Sequence, residues 1–157
     1  MDYIIEASNL RKEFGSIIAV DDISFNVPRG ECFGILGPNG AGKTSTVRMI
    51  YGFSPMTGGC LRVFGLDITR SLREIKSRIG VCQQENSLDP DLTVEQNLMV
   101  FSRYFDMPKK MASEKTEKQL KFIALDHRRD AMVTELSGGM MRRLVIARAL
   151  INDPELL

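Results

Sequence analysis

Apolar and polar residues alternate along the first part of the chain, which is the pattern of half-buried β-strands. Residues 3–10 (YIIEASNL) and 17–27 (IIAVDDISFNV) are also rich in β-branched side chains, so two strands are predicted there. The Pro-Arg-Gly at 28–30 predicts a turn after the second strand. The short apolar run at 31–37 (ECFGILG) ends in glycine and predicts a buried strand that leads into the glycine-rich segment after it.

One helix and two further strands are predicted in the middle of the chain. Residues 43–53 (KTSTVRMIYGF) are expected to form a helix that Gly52 closes. A short strand is predicted at 60–64 (CLRVF), and residues 77–84 (SRIGVCQQ) predict a strand that runs into a polar loop. The first half of the chain is therefore expected to be β-rich with α/β character.

From Thr93 onward the apolar residues recur every three to four positions, as in amphipathic helices. Three helices are predicted, at 93–105, 108–125 and 138–151. Thr93 and Gln96 have the spacing of a capping box at the start of the first helix. The charges of the second helix indicate a solvated face, and the third helix is expected to stop near the Asn-Asp-Pro at 152–154.

Composition and charge exclude several classes of protein. At 157 residues the chain is long enough for a hydrophobic core, and its formal net charge of +1 provides no strong field for nucleic acid or an anionic membrane. No apolar run approaches the roughly 20 residues that span a bilayer. The acidic start lacks the pattern of a signal peptide. We therefore expect a soluble chain whose membrane role, if it has one, comes through a partner.

Cysteine and histidine supply no metal-binding pattern. Cys32, Cys60 and Cys82 lack the spacing of a zinc site or a redox pair, and we expect buried, reduced thiols of a cytosolic protein. His127 is the one histidine, and a surface role is expected for it.

The strongest chemical signal is residues 37–44, GPNGAGKT, which fit the pattern G-x-x-x-x-G-K-[ST] with a predicted strand before and a helix after. Glycines allow backbone N–H groups to converge on phosphate, and the positive end of the following helix points at the same place. Lys43 adds a mobile positive charge, and Thr44 offers a hydroxyl to Mg²⁺. This motif predicts binding of a nucleoside triphosphate.

Two weaker signals follow, and each has an ordinary explanation when taken alone. Gln83 and Gln84 can orient a water or reach a metal ion, although a glutamine pair in a loop is usually plain surface. Ser137 is placed to cap the third helix, and Gly138 and Gly139 permit close approach of an anion. Alone, this second group is better explained as an ordinary capped helix start.

Together, in this order and spacing, these segments resemble the ATP-binding subunits of ABC transporters, and the resemblance runs from about Tyr3 to Leu157. Residues 37–44 look like the family's Walker A motif, Gln84 matches its Q-loop glutamine, and residues 136–140 (LSGGM) match its signature sequence. The resemblance implies an α/β P-loop NTPase fold of the ABC type, with an antiparallel β subdomain and a helical insertion.

The resemblance also implies the site residues, with ATP and Mg²⁺ as cofactors. The implied nucleotide-binding residues are Phe14, stacking on adenine, and Gly37, Pro38, Asn39, Gly40, Ala41, Gly42, Lys43, Thr44 and Ser45 at the phosphates. The implied metal contacts are Thr44 and Gln84. In the family, two subunits associate head to tail, so Ser137, Gly138 and Gly139 would cap the γ-phosphate that the partner's loop holds.

Departures from the family pattern limit what is carried over. Met140 stands where glutamine is common, and Cys82 stands where proline often precedes the glutamine pair. The family's Walker B aspartate and catalytic glutamate follow a strand beyond "PELL", so we expect no catalytic residue within the chain. Asp153 and Glu155 precede that strand and are rejected as substitutes, and residues 1–157 alone are expected to be inactive.

The expected organisation is a partial nucleotide-binding domain that lacks the C-terminal part of its core. The β-rich and P-loop part is expected at 1–85, the helical subdomain with the signature at 86–150, and the start of the truncated Walker B region at 151–157.

Within the family, the chain is most similar to ATP-binding proteins of nodulation-factor, drug and polysaccharide exporters of the ABC-2 type. The resemblance implies a membrane permease and a second nucleotide-binding subunit as partners, no nucleic acid, and a cytoplasmic location at the inner face of the membrane. Two alternatives stay open: a catalytically incomplete nucleotide-binding fragment, and an ABC-type ATPase with no role in transport.

Overall fold

A computed structural model describes residues 2–85 and 87–157 of the chain. The chain divides into two compact units, Met1–Lys76 and Ser77–Leu157. None of the helices in the described residues is long and apolar enough to cross a membrane.

The first unit contains an antiparallel sheet of four strands in the order β2-β1-β3-β4. The strands are β1 (Tyr3–Phe14), β2 (Ile17–Pro28), β3 (Gly58–Val63) and β4 (Leu66–Asp67). Leu10 of β1 and Leu61 and Val63 of β3 are fully buried, as expected where alternate side chains of neighbouring strands face the same core. The strands predicted at 3–10, 17–27 and 60–64 are confirmed, while β4 was not predicted.

Helix α1 (Lys43–Ile50) packs Met49 and Ile50 into the core of this unit. It ends where Gly52 turns into the left-handed region, at φ 68°, as glycine commonly does after a helix. A Cβ on Gly52 would also overlap the side chain of Leu72 in α2 (Leu72–Ser77), which would have to shift to make room. The prediction for α1 and its end is confirmed, whereas α2 was not predicted.

The strand predicted at 31–37 is wrong. Residues 31–38 have no regular secondary structure, and Leu36 is 93% exposed. An apolar run becomes a strand only where a second strand accepts its backbone hydrogen bonds. Among the described residues none pairs with this segment; Phe33 instead stacks on Phe25 of β2, with ring centroids 5.7 Å apart.

The strand predicted at 77–84 is also wrong, apart from a single bridge. In the second unit Ile79 pairs in parallel with Leu156, and the amide of Gly80 donates to the carbonyl of Leu156 at 2.9 Å. Residues 80–84 of the segment have no regular secondary structure.

The second unit is built from three helices, α3 (Val94–Ser102), α4 (Lys109–Phe122) and α5 (Gly138–Ala149). The predicted capping box is confirmed: the amide of Gln96 donates to Thr93 Oγ1 at 3.2 Å, and the amide of Thr93 donates to Gln96 Oε1 at 2.9 Å. The helices share one buried cluster with their connecting segments. Its members are Leu88, Val94, Leu98, Leu120, Ile123, Leu125, Val133, Leu136, Leu144, Val145 and Ala147.

The expectation of buried cysteines is wrong for two of the three. Cys60 is exposed because it alternates with the buried Leu61 along β3, and so points to the opposite face of the sheet. Cys32 is exposed within the irregular segment 31–38. Cys82 is half-buried, and all three thiols are free.

Candidate functional site

Two glycines shape the loop that precedes α1. Gly40 and Gly42 both have left-handed backbones, at φ 84° and 81°, which glycine adopts without strain. Gly42 is also the N-cap of α1, and a Cβ there would overlap the carbonyl oxygen of Ala19 in β2. The loop can therefore turn sharply against the sheet only with glycine at position 42.

The start of α1 is suited to an anion. The first N–H groups of an α-helix have no partner within the helix, and the helix dipole adds positive potential there. No acidic residue lies in the first turn of α1, and its Gly42 cap offers no side-chain acceptor to these N–H groups. Backbone N–H donors and positive electrostatic potential thus converge at Lys43, Thr44 and Ser45, which fits the predicted phosphate site.

Lys43 folds back over the loop. Its Nζ donates to the carbonyl oxygens of Gly37 and Pro38, at 2.7 Å each. An ammonium has three N–H donors, so these two bonds leave one for a phosphate oxygen. Thr44 is exposed beside it. The lysine is therefore held at the loop by backbone contacts that a phosphate group is able to supplement or replace.

Phe14 lies at the end of β1, and its ring is half-exposed. The Nζ of Lys12 lies 4.6 Å from the centre of that ring and donates to the carbonyl of Pro55 at 2.6 Å. The ring is thus partly exposed and has a cation close to it, and its stacking on adenine remains a prediction.

The second group of predicted residues lies at the start of α5. Ser137 is the N-cap of this helix and accepts a hydrogen bond from the amide of Met140 at 3.3 Å, which confirms its predicted capping position. Gly138 and Gly139 are exposed, and a Cβ on either would meet nothing within 4 Å. Packing within the unit does not require glycine here, so the surface is open to close approach from outside.

Gln84 lies in the same unit, in an exposed bend. We define the Gln84 loop as residues 83–85 together with Ser87. Arg142 Nη1 donates to the carbonyl of Gln83 at 2.6 Å, and Arg148 Nη1 donates to the carbonyl of Ser87 at 2.5 Å. The loop is therefore attached to α5, the helix that Ser137 begins.

These two arginines were missed by the sequence analysis. Arg148 is the only charged residue between Leu144 and Ile151, and a charge within so apolar a stretch was the available signal. Its burial lowers the pKa of the guanidinium, which nevertheless stays charged at neutral pH.

The predicted residues fall into two groups. Phe14 and residues 37–45 belong to the first unit, while Gln84 and residues 137–139 belong to the second. In that unit Arg142 of α5 contacts Gln83, the neighbour of Gln84, and Ser137 is the N-cap of α5. Within the described residues, no cluster of three or more His, Cys, Asp or Glu side chains is present to hold a metal ion.

The acidic residues near the end of the chain have structural partners. Asp153 forms an ion pair with Lys115 at 3.0 Å, and Glu155 forms one with Arg78 at 2.6 Å. His127 is exposed in a short 3-10 turn, Asp126–Arg128.

Comparison with known proteins extends these observations to the whole chain. A family model described as ABC transporter matches residues 20–157. Two curated relatives are named Nod factor export ATP-binding protein I. The protein from Paraburkholderia xenovorans is 48% identical over 153 residues, covering 98% of this chain and 50% of that protein. The protein from Cupriavidus metallidurans is 46% identical over 157 residues, covering 100% and 52%.

Two solved structures are also similar. One is part of an ABC transporter complex of Clostridium perfringens, with a TM-score of 0.85 and 25% identity over 98% of this chain and 63% of that one. The other is an ATP-binding cassette of an ABC transporter, with a TM-score of 0.83 and 30% identity over 98% and 67%. The chain spans about half the length of the curated relatives it matches. Because the family match covers most of its length, the chain belongs to the ABC transporter family and has the P-loop fold of that family's ATP-binding subunits.

Proposed function

We propose that the chain is the ATP-binding part of an ABC-type exporter, which binds MgATP and, in the complete domain, hydrolyses it to drive transport through a separate permease. The observation that carries this proposal is the glycine-shaped loop 37–42 at the start of α1, with Lys43 folded over it. The export role is supported by the relatives named Nod factor export ATP-binding protein I.

In this proposal the first unit holds the nucleotide. Residues 37–45 surround the phosphates with backbone N–H groups, and Lys43 exchanges a carbonyl contact for the β- and γ-phosphate oxygens. Phe14 stacks on adenine, which its partial exposure permits. Thr44 would contribute a hydroxyl to a Mg²⁺ ion bound with the nucleotide, and this ion would neutralise phosphate charge.

The second unit, in this proposal, responds to the nucleotide and serves a partner. Gln84 would sense the γ-phosphate and its metal, the role that the resemblance implies for it. Ser137, Gly138 and Gly139 cap the γ-phosphate held by a second subunit in a head-to-tail dimer, which fits their open, exposed surface. We propose that the dimer works at the inner face of the membrane, where the permease couples hydrolysis to export.

Hydrolysis needs groups that these residues do not supply. The carboxylates of Asp153 and Glu155 are engaged with Lys115 and Arg78, and neither matches the family's Walker B aspartate or catalytic glutamate. We infer that a polypeptide of residues 1–157 alone has no group to activate the attacking water. Its expected role is therefore restricted to nucleotide binding.

Phosphate release by the complete protein, reconstituted with its permease in vesicles, tests the proposed function. MgATP hydrolysis should be lost in Lys43→Ala, since the transferred phosphoryl group loses its neighbouring positive charge. Lys110→Ala removes an equal charge from the exposed start of α4 and should hydrolyse as the wild type does. Wild-type protein without MgATP hydrolysis, or equal rates in wild type and Lys43→Ala, would contradict the proposal.

A further inference from the structure

Two arginines of α5 hold the Gln84 loop from both sides. Arg142 binds the carbonyl of Gln83, the residue directly before Gln84. Arg148 binds the carbonyl of Ser87 through Nη1 and the hydroxyl of the same residue through Nη2. The backbone on each side of Gln84 is therefore attached to one helix.

These contacts are of a strong kind. A guanidinium that donates to backbone carbonyls forms charge-assisted hydrogen bonds, which are stronger than bonds between neutral groups. Arg148 is further restrained because its guanidinium lies 4.8 Å from the ring centre of Phe101 in α3. Partial burial of the Arg148 side chain lowers the pKa of its guanidinium, while the bonds to Ser87 themselves lie at the surface.

Apolar packing supports the same attachment. Leu88, which follows the loop, is buried in the core cluster that also contains Leu144 and Val145 of α5, and Cys82, which precedes the loop, packs against that cluster. The residues on both sides of the Gln84 loop therefore pack in or against the core cluster to which α5 contributes.

The same helix carries the other predicted functional residues at its start. Ser137 caps α5, and Arg142 lies five residues further along, which is about 8 Å along a helix axis at 1.5 Å per residue. Leu144 anchors α5 in the core. Because the Gln84 loop is bonded to α5 and Ser137 begins α5, a displacement of either one involves this helix.

We propose that Arg142 and Arg148 are positioning residues for ATP hydrolysis, which fix the Gln84 loop to α5 and so act on the reaction through Gln84. The proposal rests on the proposed function, because only a nucleotide at residues 37–45 gives Gln84 a group to contact. Neither arginine is proposed to touch the nucleotide of its own subunit. Their effect on hydrolysis should therefore disappear when Gln84 is absent.

A double-mutant cycle in the complete protein tests this dependence. Arg142 is exposed, so Arg142→Ala should fold normally. It should lower kcat for MgATP by about tenfold and leave KM nearly unchanged, because a misplaced group affects the reacting geometry more than ground-state binding. The double variant Gln84→Ala/Arg142→Ala should be no slower than Gln84→Ala alone.

Two conservative variants and one control sharpen the test. Arg142→Lys should recover part of the lost kcat, because an ammonium can also donate to the carbonyl of Gln83. Arg148→Lys keeps the charge but has a shorter side chain and lacks the planar guanidinium that donates to both acceptors of Ser87, so an intermediate kcat is expected. Arg128→Ala removes an exposed arginine of the 3-10 turn Asp126–Arg128 and should leave kcat unchanged.

The outcomes separate this proposal from the proposed function. Wild-type kcat in Arg142→Ala, or losses that multiply in the double variant, would overturn the positioning role, since a purely structural arginine acts independently of Gln84. If Gln84→Ala hydrolyses as the wild type does while Lys43→Ala is inactive, the positioning role falls and the proposed function stands. If the wild type neither binds nor hydrolyses MgATP, both fall.

Discussion

Gly42 meets two constraints that no other residue type meets together. Its backbone is left-handed, at φ 81°, and its Cα lies so close to β2 that an added Cβ would overlap the carbonyl of Ala19. Gly40 has a similar φ of 84°, yet a Cβ there would meet nothing within 4 Å. Comparing the same substitution at the two positions therefore separates the cost of backbone strain from the cost of steric overlap.

We predict that Gly42→Ala destabilises the protein more than Gly40→Ala. Left-handed strain in a non-glycine residue costs about 1–3 kcal/mol, and this cost applies to both variants. Only Gly42→Ala adds an overlap with backbone, which the sheet cannot relieve by rotating a side chain. Chemical denaturation of the complete protein measures both free energies of unfolding. Equal destabilisation of the two variants would show that the loop does not press against β2 as described.

At the residue scale the sequence predicted the loop but not the arginines. The motif at 37–44 is local, and its meaning depends on spacing along the chain. The contacts of Arg142 and Arg148 join residues 59 and 61 positions apart, so no local pattern identifies their partners.

At the scale of elements, α5 depends on Ser137 for its first turn. The side chain accepts the amide of Met140 at 3.3 Å, and substitution of such a cap by alanine costs about 1 kcal/mol. Aspartate is also a good cap, so Ser137→Asp should keep the stability that Ser137→Ala loses. Comparing the stabilities of Ser137→Ala and Ser137→Asp therefore tests the capping role of Ser137 by itself, apart from the role proposed for this residue toward a second subunit.

Local signals predicted the helices better than the strands. Thr93 and Gln96 form the predicted capping box because both partners lie within one turn. Residues 31–37 have the composition of a buried strand, yet a strand also needs a distant backbone partner, which a local pattern does not identify. Cys60 shows a related difficulty, since it was expected inside although it alternates with the buried Leu61.

At the scale of the whole molecule, Ser137→Asp also predicts the behaviour of the dimer. If Ser137 faces the γ-phosphate of a second subunit, a carboxylate there places like charges together and opposes association. ATP-dependent dimerisation of the complete protein should be lost in Ser137→Asp, while MgATP binding by the monomer is retained. Size-exclusion chromatography with ATP measures this, and a Ser137→Asp protein that dimerises as the wild type does would contradict the role across the interface.

Family membership was predictable from the sequence because three motifs occur in a fixed order across the chain. The match of the family model to residues 20–157 and the similarity to two ATP-binding structures confirm the P-loop fold that the resemblance implied. The roles of Phe14, Gln84 and Ser137 stay predictions, since they concern a nucleotide and a second subunit.

The central claim is that residues 37–45 bind the phosphates of MgATP, and calorimetric titration of the complete protein tests it most directly. Lys43→Ala should weaken MgATP binding by about 10- to 100-fold, the equivalent of one charge-assisted hydrogen bond. Lys110→Ala, which removes an exposed charge from α4, should bind as the wild type does. Equal affinity of wild type and a folded Lys43→Ala protein would contradict the assignment of the phosphate site.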